Sequence, residues 1–73
     1  MSRPSEYPIN SEELTRRLGF KDDPDFTHVL QRQVRPTLRR IGCPKASSAR
    51  RAPWVIDHPT ADRVAMLLGL RLR

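Results

Sequence analysis

Gly19, Gly42 and Gly69 each close a run whose apolar residues recur at helical spacing, and together they divide this chain of 73 residues into three short helical segments. Glycine enters the left-handed backbone that ends a helix without steric cost, so a long uninterrupted helix is not open to this sequence. Pro24, Pro36, Pro44, Pro53 and Pro59 subdivide it further, because each lacks the N–H that a helix or sheet interior needs. A chain this short forms one domain and buries only about 60% of its unfolded surface. That leaves little room to enclose a small-molecule substrate, and none is expected.

Chemistry-bearing motifs are scarce. No serine sits in a nucleophile elbow and no glycine-rich loop could cradle a phosphate. Cys43 has no disulfide partner, and with only His28 and His58 beside it the paired spacing of a zinc site is missing. Asp22, Asp23 and Asp25 cluster where a helix starts, which suits capping and the helix dipole better than a metal ion. Neither catalysis nor a metal or other cofactor is therefore expected. No apolar run is long enough to cross a bilayer or to serve as a signal peptide, so a cytoplasmic protein without a membrane partner is the expectation.

The first helix is expected from Ser11 to Leu18. Asn10 is spaced to accept from the Glu13 amide while the Glu13 carboxylate reaches back, and Ile9 with Leu14 has the spacing of a hydrophobic staple. The second is expected from Asp23, with Pro24 at its first position. Phe26, Val29, Leu30 and Val34 form its buried stripe, and Thr27, His28, Gln31, Arg32 and Arg35 point outward. Pro36 permits two versions, a kinked helix or a new short helix starting there. The second is favoured because the residue before proline is pushed away from helical geometry. Val34, Leu38 and Ile41 keep the apolar phase beyond it.

Residues 43–53 have no apolar period and read as a loop or hairpin tip, followed by Trp54, Val55 and Ile56 as one strand of a small sheet. Trp54 is read as a core anchor and not as a platform for an unpaired base. Asp57 or His58 caps the last helix, whose apolar face comprises Ala61, Val64, Ala65, Leu67 and Leu68, and Leu70 to Arg73 is strand or frayed end. Residues 1–8 are expected to be a flexible arm and residues 9–73 one domain, mainly α with a small β-hairpin.

Charge is segregated along this frame. From Phe26 to Ile56 there is no Asp or Glu, while Arg32, Arg35, Arg39, Arg40, Lys45, Arg50 and Arg51 place seven cations there, so the net +6 of the chain arises at its centre. Arginine outnumbers lysine twelve to two, yet a GC-rich genome would produce that ratio unselected; the positions of the charges carry more weight than their type. Arg32, Arg35 and Arg39 have no acidic neighbour along the helix, and their mutual repulsion costs stability unless a polyanion relieves it. A positive face of this kind points first to nucleic acid.

Ser11-Glu12-Glu13-Leu14-Thr15-Arg16-Arg17-Leu18-Gly19-Phe20 is similar to the first helix and turn of many helix-turn-helix domains. With an arginine-bearing second helix, a basic loop, a Trp-anchored strand and a last helix, the layout over roughly residues 9–69 resembles the small excisionase and MerR-like winged helix-turn-helix domains of phages and actinobacteria. The resemblance implies a sequence-specific protein of double-stranded DNA: a repressor, an excisionase or an architectural factor. The second helix would enter the major groove, where His28, Gln31, Arg32 and Arg35 reach base edges. Lys45, Arg50 and Arg51 would donate to phosphates or enter the minor groove as a wing, and Arg39 and Arg40 complete the expected DNA-binding set. So small an interface suggests a homodimer or a cooperative array. Two other readings stay open: a phage-type module that inhibits a host protein at an acidic site, and a binder of structured RNA.

Overall fold

A computed structural model describes residues 7–72 of the chain. Helix α1 (Ser11–Thr15) opens on Asn10, whose Oδ1 accepts the Glu13 amide at 2.7 Å. The expected return bond from Glu13 does not form. Its carboxylate instead accepts from Arg16 at 3.0 Å and Arg17 at 3.1 Å, two cations one turn further on that outcompete a neutral amide. A π-type turn over Arg16–Phe20 ends at Gly19, which has φ 106°. Residues Leu14 and Leu18 are buried as expected.

The second helical rod begins three residues later than expected. Pro24 lies in a turn in which the Asp23 carboxylate accepts the Asp25 amide at 2.8 Å, and α2 (Phe26–Val29) follows. The rod continues through a π turn at Leu30–Val34 into α3 (Arg35–Arg40), so Pro36 neither starts a separate helix nor breaks this one. Arg35, just before the proline, is helical at φ −63°, ψ −45°, contrary to the expectation.

Two physical effects explain the continuity. A π turn forgoes a hydrogen bond on returning to the α pattern, and a proline forgoes one as well, so adjacent defects share a single loss. The wider turn, in which the Arg35 N–H reaches back to the Leu30 carbonyl, also resets the phase of the buried stripe. At 3.6 residues per turn Val29 and Val34 would diverge around the axis, whereas a five-residue turn keeps both inward. Val29, Leu30, Val34 and Leu38 are all buried.

The rod ends at Gly42, φ 74°, where the Cys43 amide bonds the Leu38 carbonyl at 3.0 Å. Beyond it the expected β-hairpin is reduced to an isolated antiparallel bridge, Lys45 with Trp54, and Ile56 makes a second one with Ile9. Among the described residues no strand forms. Pro44 and Pro53 flank the first bridge, and while their carbonyls accept from Val55 and Ala46 at 2.9 Å, neither can donate, so the ladder stops after one rung.

Asp57 caps α4 (His58–Leu67), accepting the Thr60 amide at 2.9 Å. Ala61, Val64 and Ala65 turn inward as expected, but Leu67 does not: it is 55% exposed, because α4 rests on α3 along a stripe that lies one residue to the side. The tail is neither strand nor loose end, since Leu70 and Leu72 pack against the core as half-buried residues. Of the expected arm, residues 1–6 fall outside the described residues, while Tyr7 packs on the core with its ring edge against His58, 5.1 Å between centroids. The fold is thus mainly helical, with one core joining Ile9, Leu14, Val34, Leu38, Trp54 and Val64.

Candidate nucleic-acid interface

The candidate interface is built on the outward face of the rod at residues 26–40 and on the loop that follows it. Burial of Val34 and Leu38 on one side leaves His28, Gln31, Arg32, Arg35, Arg39 and Arg40 exposed on the rest of the circumference. In the loop, Lys45, Arg50 and Arg51 are exposed as well. Among the described residues the ion pairs involve Arg16, Arg17 and His58, and none of the seven cations between Phe26 and Ile56 takes part in one.

Trp54 organises the cations nearest the loop. The ring is 5% exposed, fixed by its bridge to Lys45, and the Arg35 guanidinium lies 5.6 Å from its centroid while Lys45 Nζ lies 4.6 Å from it. The ring quadrupole offsets part of the repulsion between the two cations and limits the motion of both side chains. Lys45 Nζ also donates to the Arg50 carbonyl at 3.3 Å, which ties the loop back on itself. Arg51 joins Arg35 and Trp54 around a cleft of about 180 Å³. Two of the expected site residues, Arg35 and Lys45, therefore meet at one indole, and a third, Arg51, lines the cleft beside it.

The others are arranged differently. Arg32 and Arg40 border a shallow groove with Gln33, Pro36 and Thr37 on another flank of the rod. Arg39 is exposed one turn beyond Arg35, and His28 and Gln31 are exposed toward the start of the rod. Arg50 is tied in through its backbone carbonyl only.

Several residues of this surface are not marked by sequence reasoning. Gln33 and Thr37 line the Pro36 groove because the π turn rotates the first half of the rod relative to the second, and no periodicity rule anticipates that rotation. Asn10 and Glu12 line the Trp54 cleft from the start of α1. Their spacing marks them as capping residues, and only the packing of α1 against the π turn brings them beside Arg35.

Cys43 lies at the root of the loop with its Sγ 3.5 Å from the Val55 carbonyl. Burial pushes its thiol pKa up, and the nearby Asp57 carboxylate adds to this. Among the described residues no cluster of His, Cys, Asp or Glu could hold a metal ion, and no helix is long and apolar enough to cross a membrane.

Comparison of the chain with protein families, curated proteins and solved structures finds no match.

Proposed function

We propose that this protein binds double-stranded DNA with sequence preference, in the manner of a winged helix-turn-helix domain. The observation that carries the proposal is the set of seven cations without an ion pair on one helical rod and its adjoining loop, two of them held against a buried tryptophan. Leaving so many like charges unpaired costs stability in the free protein, and a polyanion removes that cost while releasing its own counterions.

In this proposal the rod lies in the major groove. Gln31, Arg32 and Arg35 supply the base contacts, Arg35 from the flank beside Trp54 and Arg32 from the flank beside Pro36, with Arg pairing to guanine and Gln to adenine through two hydrogen bonds. His28 is exposed toward the start of the rod. Arg39, Arg40, Lys45, Arg50 and Arg51 hold phosphates on either side, and the loop of residues 43–53, tied by a single bridge, plays the part of a wing. Because Trp54 restrains Arg35, less conformational freedom is lost when that side chain meets a base.

The molecule is 35 Å along its longest axis, about one turn of duplex (~34 Å), so one copy reads one groove segment. The test is a fluorescence titration of the purified chain against a pool of genomic duplex fragments at two salt concentrations, with duplex RNA as competitor. Tight duplex DNA binding that weakens steeply with salt and enriches particular fragments supports the proposal. Weak binding at low salt, or preference for RNA, ends it.

A further inference from the structure

We infer that the last turn of α4 and the residues after it form a self-association surface, and that its partner is a second copy of this chain. Met66 is 80% exposed and Leu67 55%, the two large apolar side chains that the fold leaves in water among the described residues. They do not stand alone. Met66 shares a groove of about 430 Å³ with Ala65, Leu70 and Leu72, so the exposed methionine adjoins half-buried leucines and the patch is continuous. None of the seven mid-chain cations lines this groove.

Charge at the rim selects the occupant. The groove carries both an acid, Asp62, and a base, Arg71. In a two-fold contact each patch faces itself, so one residue meets its complement only if the patch holds both signs. A two-fold contact centred on Met66 in which Asp62 faces the other copy's Arg71 makes that pairing twice. Such a rim suits neither an anionic membrane, which would repel Asp62, nor an acidic protein. The Asp62 carboxylate lies 3.4 Å from His58 Nδ1 on the exposed side of the helix.

A dimer built here keeps both arginine rods clear of the contact, and so supplies the second reading head that a domain one duplex turn long lacks. The inference does not depend on DNA binding, and its salt dependence runs the other way. Two chains of charge +6 repel at long range, and salt screens that repulsion without weakening an apolar contact. Self-association should therefore tighten with salt, whereas association with DNA loosens.

The experiment is sedimentation equilibrium of the full chain without DNA, from micromolar to millimolar concentration, at low and moderate salt. A monomer–dimer equilibrium is expected. Met66→Glu should weaken it at least about tenfold while leaving the circular dichroism unchanged, since the side chain is already solvated. Asp62→Arg and Arg71→Asp should each weaken it, and the double exchange should restore it. A wild-type chain that stays monomeric throughout overturns the inference. So does a dimer that is indifferent to Met66→Glu, or single charge reversals that the double exchange fails to rescue.

Discussion

The Arg35 guanidinium lies over the ring of Trp54, 5.6 Å from its centroid. One residue belongs to the rod proposed to enter the groove and the other follows the basic loop, so this contact sets the position of the loop against the rod. Because Lys45 approaches the same ring at 4.6 Å, a buried aromatic governs the spacing of two surface cations. A contact of this kind is worth about 0.5–1 kcal/mol at an exposed site.

Arg35 should therefore show two separable effects. Arg35→Ala is expected to lower stability by about 0.5–1 kcal/mol and to weaken binding to a preferred duplex more than to random DNA. Denaturant titration and paired binding isotherms measure both. Equal losses on the two DNAs would move Arg35 from base contact to phosphate contact.

Arg50 has no side-chain partner among the described residues and lies in the loop. Arg50→Ala should weaken binding to all sequences alike and reduce the salt slope of log Kd by about one. Stability should remain within about 0.5 kcal/mol of wild type. A change in sequence preference would count against a phosphate role.

The π turn and Pro36 form a coupled pair. Deleting Gln33, which is exposed, shortens the turn to the α pattern and leaves Val29 and what was Val34 on one face, but it brings the proline ring against the preceding turn. The deletion alone should cost about 3 kcal/mol. Combined with Pro36→Ala it should recover most of that loss, as read by thermal melts. Absence of recovery would mean that the π turn is held by tertiary packing instead of by the proline.

Acid should unfold the protein partly through two carboxylates. The bond from Thr60 holds Asp57 below its ordinary value of 3.8. For Glu13, burial works upward, but the bonds from Arg17 and Arg16 outweigh it and hold the pKa below 4.5. A group whose folded pKa is depressed contributes stability that is complete above its unfolded pKa and is lost as pH falls through the folded one. Melting temperature should thus fall in acid below those ordinary values, and Asp57→Asn, which still caps but does not titrate, should flatten part of the fall. An unchanged acid limb in that variant would remove Asp57 from the account.

Loss of the first cap tests the start of α1. Asn10→Ala removes the 2.7 Å bond to the Glu13 amide and should cost about 1 kcal/mol. Asn10 also lines the Trp54 cleft, so a nuclear magnetic resonance perturbation reaching the Trp54 indole is expected, whereas a purely local effect would stop within α1.

The sequence by itself determined what depends on near neighbours. The cap at Asn10, a last cap at Asp57 or His58, the stops at Gly19, Gly42 and Gly69, the burial of Trp54 and the acid-free centre all follow from spacings of a few residues, over which hydrogen bonding and helical period are fixed by backbone geometry. Tertiary structure alone decided the rest. Whether Pro36 ends or joins a helix depends on how the stripe from Val29 to Leu38 must face the core, and the exposure of Leu67 depends on the angle at which α4 meets α3. The meeting of Arg35 and Lys45 at one indole requires a loop to return across the rod. Such contacts join residues far apart in the chain, where period and propensity carry no information and packing of the shared core selects the arrangement.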